Sequence, residues 1–396
     1  MALRTATRQL SKHASRQQTR GLATPAATPP TTPSKGPTAM VFMNMGGPST
    51  VPEVGDFLSR LFADADLIPL GRFQKYLGPL IAQRRTPKIE KQYATIGGGS
   101  PIRKWSQLQA AEMCKILDQT SPETAPHKPY VAFRYADPLT EKMYARLLAD
   151  GFGGGKGGRA VAFTQYPHGG RSWRGRGGGG VKANGEDGSI QWSVIDRWPA
   201  HKGLVEAFAQ NIEATLATYS EADRKDVTIL FSAHSLPMSV VNRGDPYPAE
   251  VAATVYAVME RLKFSHPYRL VWQSQVGPQP WLGAQTSDTV TNYVANGKKN
   301  LVLVPIAFTS DHIETLFELD EEVIGESGCK DSIRRVESLN GNPVFIQALA
   351  DIAKAHLESG VQCSKQMALR CPGCTNAKCE ASKDFFAGSP RGPVEA

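Results

Sequence analysis

Six short apolar runs fix the kind of fold open to this chain: Ala39–Met45, Tyr130–Tyr135, Ala160–Gln165, Val227–Ser232, Tyr268–Gln273 and Leu301–Phe308. Runs that are apolar at successive positions, not at alternate ones, describe strands covered on both faces. Between them lie amphipathic stretches long enough to cross over a sheet: Trp105–Leu117, Thr140–Leu148, Leu204–Tyr219, Pro248–Leu262 and Ala348–Leu357. The alternation predicts an α/β fold with parallel sheets in two doubly wound halves, splitting near Trp198. The longest apolar run, Leu301–Phe308, holds eight residues, too few for a bilayer-spanning helix.

The net charge of +8 does not describe the body of the chain. No acidic residue precedes Glu53, while Arg4, Arg8, Lys12, Arg16, Arg20 and Lys35 do, and setting these six aside leaves +2. The basicity is N-terminal and gives no footing for a nucleic-acid partner. An Arg-, Ser- and Thr-rich, acid-free start with cations every four residues reads as a mitochondrial transit peptide. A Pro- and Thr-rich linker follows, so residues 1–37 are expected to stand apart from the fold.

Polar residues gather where the apolar runs end. Asn44 and Met45 precede Gly46-Gly47-Pro48; Arg134 stands at the end of the second run and Gln165 ends the third. Ser232 and His234 follow the fourth, Gln273 and Ser274 the fifth, and Ser310, Asp311 and His312 the sixth. Ligands of open α/β sheets bind just beyond strand ends, so these groups are expected to line a cleft. His234, in a turn closed by Pro237, is a proton acceptor suited to neutral pH. Glu314, Glu318 and Glu322 recur every four residues and should form an acidic ridge along one helix face, able to pass protons or cations. Gly97-Gly98-Gly99-Ser100-Pro101 matches no nucleotide-binding fingerprint. Cys371, Cys374 and Cys379 have metal-site spacing and lack a fourth ligand, with Cys363 the nearest in sequence, whereas Cys114 and Cys329 read as buried fillers. The apolar stretch at 57–70 reads first as core.

Taken together, the segments FMNMGGP, RRTPKIEKQYATIGGGSPI, QWSVIDRWPAHK, LFSAHSLPMSVVNRGDPYP and LVLVPIAFTSDHIETLFELD resemble the ferrochelatase family over about residues 38–386. The resemblance implies insertion of Fe²⁺ into protoporphyrin IX, the last step of haem biosynthesis, with loss of two protons. It implies two Rossmann-like lobes, 38–198 and 199–359, about a cleft, and a Cys-containing extension at 360–396. By the same likeness His234 and Glu314 are catalytic, with His201 and Asp351 a second, lower-ranked pair. Met45, Arg85, Tyr93, Ser100, Arg134, Trp281 and Phe308 are implied to contact porphyrin. Asp311, His312, Glu318 and Glu322 are implied to line a proton or metal path. The family also implies a [2Fe–2S] cluster on Cys371, Cys374 and Cys379, a homodimer, and peripheral attachment of the 57–70 stretch to the matrix side of the inner mitochondrial membrane.

The likeness breaks between Pro167 and Gly188. Seven of the twelve residues from Gly169 to Gly180 are glycine, and Arg171 stands where the family has its fourth cluster cysteine. A guanidinium cannot ligate iron. So abrupt a stop and restart is the mark of a misread exon boundary or frame. An alternative reading is an impaired tetrapyrrole-binding relative without an intact cluster. A metal-dependent hydrolase using His234, His312 and Glu314 is the reading that needs no family, but it has no recognisable ligand triad.

Overall fold

The computed structural model describes residues 37–65, 68, 70–153, 158–169, 190–242 and 244–364. Among the described residues, eight strands form two four-stranded parallel sheets, ordered β2-β1-β3-β4 and β6-β5-β7-β8.

The first sheet holds β1 (Thr38–Asn44), β2 (His127–Phe133), β3 (Arg159–Thr164) and β4 (Gln191–Ile195). Its helices are α1 (Val54–Ala63), α2 (Gln74–Thr95), α3 (Ile102–Thr120) and α4 (Thr140–Ala149). The second sheet holds β5 (Thr228–His234), β6 (Tyr268–Gln273), β7 (Leu301–Pro305) and β8 (Ile333–Arg335). Around it run α5 (Lys202–Ala217), α6 (Glu221–Lys225), α7 (Met238–Val241), α8 (Tyr247–Arg261), α9 (Thr286–Ala295), α10 (Ile313–Leu316) and α11 (Pro343–Ser359).

The central strands are buried on both faces, as continuous apolar runs require: Ala39–Met43 and Leu301–Pro305 are buried throughout. One core joins the two sheets. Phe42 meets Phe163 edge-on at 5.3 Å, Phe163 meets Trp198 at 6.0 Å, and Trp198 leans on Phe345 of α11 at 6.0 Å. Each such buried ring contributes about 1.5–3 kcal/mol from burial alone. The helix α11 starts where Asn342 Oδ1 accepts from Val344 N and Phe345 N with Pro343 in the first turn, and stops at Gly360, whose φ is 63°.

All six expected strands are present. The sixth ends at Pro305, short of Phe308. Two further strands have no run to betray them: β4 reads Gln-Trp-Ser-Val-Ile at a sheet edge and β8 spans three residues. The 57–70 stretch divides. Leu58 and Phe62 are core, packed with Val54, Ala82 and Tyr93. The exposed apolar side chains come later, at Phe73, Tyr76, Leu77 and Leu80 around the start of α2.

Candidate active site

The site grows from strand ends. His234 closes β5, in register with Gln273 at the end of β6. Its Nδ1 lies 2.6 Å from the Ser235 carbonyl, which can only accept, so Nδ1 carries a hydrogen, and in the neutral ring the lone pair falls to Nε2. That Nε2 lies 3.9 Å from Glu314 Oε1. On the other side His312 Nε2 is 3.4 Å from Glu314 Oε2. His234 ends β5, His312 caps α10 and Glu314 lies in its single turn, and His234 and Glu314 both stay partly open to solvent.

Burial pushes the Glu314 carboxyl up, but the facing His234 and the hydrogen bond and charge of His312 outweigh it, and its pKa is lowered to about 2. Burial and the charge of Glu314 push Glu318 the other way, upwards. The two neighbouring carboxyls are thus pushed in opposite directions, Glu314 towards its anion and Glu318 towards its protonated form. Glu318 is held by Ser274 N at 2.6 Å, by the Ser274 hydroxyl and by Gln273 Nε2 at 3.1 Å. Ser274 sits in the left-handed region, at φ 64°, where these bonds hold it. Gln273 Nε2 also donates to the Glu314 carbonyl at 2.9 Å, tying β6 to α10.

The acidic ridge does not ride on one regular helix. After the single turn of α10 the chain widens over Glu318–Ile324 into π-helical winding. Glu321 N and Glu322 N both donate to Phe317 O at 3.0 Å. Such widened turns recur at functional sites. Burial also pushes Glu322 up, against the pull of Lys88. Asp311 is bound elsewhere: it accepts from Thr315, Ser338, Asn340 and Arg335 at 2.7–3.2 Å. Burial raises its carboxyl, but Arg335 and these donors win and lower it.

The strand ends of the first sheet carry polar groups of their own. Tyr166, just past β3, donates to Asn44 Oδ1 at 2.9 Å and accepts from Met45 N at 3.2 Å. Arg134 N donates to Asn44 O, and Tyr135 N to Met45 O. The Arg134 guanidinium pairs with Asp64, which also accepts from Tyr135 OH at 2.8 Å. Ser100 is buried against the Gly46-Gly47-Pro48 turn, its N–H on Pro48 O at 2.7 Å; a Cβ on Gly47 would come within 2.9 Å of it. Phe308 lies 4.7 Å from the His312 ring, and Trp281 lies 6.3 Å from that of His234. The exposed Arg85 lies 5.7 Å from the Phe62 ring. Burial first and the charge of Glu314 second push the hydroxyls of Tyr93 and Tyr247 upwards. Tyr247 also donates to the His234 carbonyl at 3.0 Å.

Sequence reasoning passed over Tyr166 and Tyr247. The rule that found His234 also points to Tyr166, one residue beyond a strand-end glutamine. His201 precedes α5 and caps it, accepting from Gly203 N at 3.3 Å, and Asp351, on α11, accepts from Gln347 at 2.9 Å. Burial lowers His201, opposed by Asp351.

Cys371, Cys374, Cys379 and Arg171 lie outside the described residues, as do residues 1–36. Three thiolates are one short of the four donors a [2Fe–2S] cluster needs, and Arg171 cannot supply the last. The donor set does not fit the cluster. Cys363 is fully buried, on a segment whose neighbours bond Val194 of β4. Burial first, and Asp118 after it, push the Cys114 thiol up to about 12. Among the described residues no group of three or more His, Cys, Asp or Glu is placed to hold a metal ion.

Two parallel sheets with an imidazole and carboxyls gathered beyond the strand ends define an α/β enzyme fold with a cluster of titratable groups. The ferrochelatase family model matches residues 37–357. The mitochondrial ferrochelatase of Xenopus laevis is 54% identical over 356 residues, covering 88% of this chain and 85% of that one. That of Homo sapiens is 52% identical, covering 88% and 83%, and that of Schizosaccharomyces pombe 51%, covering 89% and 83%. Among solved structures, SirB from Bacillus subtilis with Fe³⁺ aligns over 82% of this chain and 98% of that chain, at 10% identity and TM-score 0.47. The chain belongs to the ferrochelatase family, lyases that insert iron into protoporphyrin in haem synthesis. Nothing in these likenesses favours the impaired-relative reading.

Proposed function

We propose that this chain converts Fe²⁺ and protoporphyrin IX into protohaem and two protons with His234 and Glu314 as its catalytic pair. Each iron inserted displaces two pyrrole hydrogens, so the site must accept two protons per turnover. The lone pair on His234 Nε2 takes a pyrrole proton, and the Glu314 anion beside it stabilises the resulting imidazolium. Glu318, raised where Glu314 is lowered, is the next acceptor, and Glu322 follows it along the widened turn. The carrying observation is the 3.9 Å approach of His234 Nε2 to Glu314 Oε1, with Glu318 behind. Met45, Arg134, Trp281, Phe308, Ser100, Tyr93 and Arg85 are proposed to contact the macrocycle. His312 belongs to the proton path. Asp311 serves it by holding the turn through Arg335, and His201 and Asp351 rank below His234 and Glu314. Metallation by the purified protein, followed by absorbance as free porphyrin becomes haem, is the direct test.

Residues 1–37 are proposed as a mitochondrial transit peptide and 38–198 and 199–359 as the two lobes, in line with relatives named mitochondrial. No helix among the described residues is long and apolar enough to cross a membrane. Phe73, Tyr76, Leu77 and Leu80, flanked by Arg72, Lys75, Arg84 and Arg85, support peripheral docking on the matrix side of the inner membrane. A homodimer is proposed from the family likeness.

A further inference from the structure

The helix α3 carries Gln109 on its buried face, at 0% exposure. A primary amide taken out of water without partners is costly, so its bonds need an account. Its Nε2 donates to Thr309 O at 3.1 Å and to Asn340 O at 2.8 Å, and its Oε1 accepts from Gln165 Nε2 at 2.8 Å. Two carbonyls on one side and an amide donor on the other fix which end is nitrogen. Each partner leads to the active site. Thr309 and Asn340 bracket the turn that launches His312 and Glu314, because Asn340 holds Asp311 through both its N–H and its carboxylate, at 2.8 and 2.7 Å. Gln165 reaches the other side: its Oε1 accepts from Ser106 Oγ at 2.7 Å and from Asn44 Nδ2 at 3.4 Å, and its carbonyl accepts from Thr309 Oγ1 at 3.0 Å. Asn44 in turn holds Tyr166.

We propose that Gln109 is a positioning residue: one side chain, bonded across both sheets, that sets the His312–Glu314 turn against the Asn44–Tyr166 face and so holds Glu314 within reach of His234. The inference rests on the reading of His234 and Glu314 as the proton-handling pair. An apolar side chain of the same length fills the space but strands two carbonyls and one amide in the core. The response that relieves them is a shift of the Thr309–Asp311 segment. That shift moves Glu314 relative to His234, a separation already at 3.9 Å.

The test compares Gln109→Met, Glu314→Gln and the double variant for kcat and for KM of Fe²⁺ and protoporphyrin, with melting curves alongside. Gln109→Met is expected to lower kcat at least about tenfold with KM for porphyrin within about threefold, and to add less than about twofold in the Glu314→Gln background. Losses that multiply in the double variant overturn the inference, as does a change in KM alone. A Glu314→Gln protein with full kcat overturns the reading of the site itself, which is a different result. Should Gln109→Met fail to fold, Thr309→Val severs a single thread of the same network. It is expected to lower kcat about threefold, again only while Glu314 is present. Unchanged kcat in Thr309→Val overturns the proposal.

Discussion

His234 Nε2 and Glu314 Oε1 lie 3.9 Å apart, and the histidine's other nitrogen is committed to the Ser235 carbonyl. This leaves one nitrogen free to take a proton and one carboxylate placed to stabilise the cation that forms. His234→Ala removes the acceptor, and Glu314→Gln removes the charge while keeping the shape. Each is expected to lower metallation more than about tenfold, equivalent to ~1.4 kcal/mol in the barrier. Protoporphyrin affinity, read by quenching of protein fluorescence, should stay within about threefold. Near-normal rates in both variants would remove the mechanism.

The opposed shifts of Glu314 and Glu318 give a pH signature. Glu314 is lowered from 4.5 to about 2. A carboxyl lowered on folding contributes stability that is present above its unfolded value and lost as pH falls through its folded value. The melting-temperature gap between wild type and Glu314→Gln should therefore be full above about pH 5 and close by about pH 2. A gap independent of pH across that window would show that the charge of Glu314 is not what the fold stabilises.

Asp311 and Arg335 test the turn that carries the site. The Arg335 guanidinium bonds Asp320 through Nε at 2.7 Å and Nη2 at 2.9 Å, and Asp311 through Nη1 at 3.2 Å. Both Asp311 and Arg335 are largely buried. Removing one partner of such a pair strands the other charge, so Arg335→Met should cost about 3 kcal/mol in denaturant unfolding. A cost under about 1 kcal/mol would mean that Asp311 is held adequately by Ser338 and Asn340 alone.

The same residues show what the chain announces and what it conceals. β1, β5 and β7 were legible because strands covered on both faces must be apolar throughout, and α3, α5 and α8 because their buried faces repeat. α2 was concealed: it carries Pro79 and Pro87 and buries only Gly78, Ala82 and Tyr93, so no apolar period marks it. At the site, His234 stood out as an ionisable side chain at a strand end, and Glu314 through the four-residue spacing it shares with Glu318 and Glu322. Tyr247 and Gln109 did not, since uncharged polar residues away from strand ends leave no local signature, whereas Tyr166, just past a strand-end glutamine, was within reach of the rule that found His234. Asp311 looked like part of a proton path because its pairing with Arg335, 24 residues on, belongs to tertiary structure.

Membrane docking depends on the exposed start of α2. Replacing Phe73, Tyr76 and Leu80 together by serine removes apolar surface that touches little of the core, since all three are more than half exposed. Co-sedimentation with vesicles containing anionic lipid is expected to fall at least about fivefold, with metallation of soluble porphyrin unchanged within about twofold. Full vesicle binding by the triple variant would move the docking surface elsewhere.

Cluster chemistry turns on a count of ligands. Cys371, Cys374 and Cys379 supply three thiolates, and Arg171 occupies the place where the family resemblance puts a fourth. Loss of one thiolate opens a bridged iron to solvent and exchange, so the purified protein should carry far less than the about two iron and about two acid-labile sulfide per chain of an intact [2Fe–2S] site. The three cysteines should instead take up Zn²⁺, whose sites accept three sulfur donors and one other. Sulfide near two per chain would require a fourth thiolate. Cys363 is the nearest in sequence, and Cys363→Ser would then abolish the sulfide. Sulfide that survives Cys363→Ser, with a transcript encoding cysteine in place of Arg171, would instead place the error in the 168–187 stretch of the sequence.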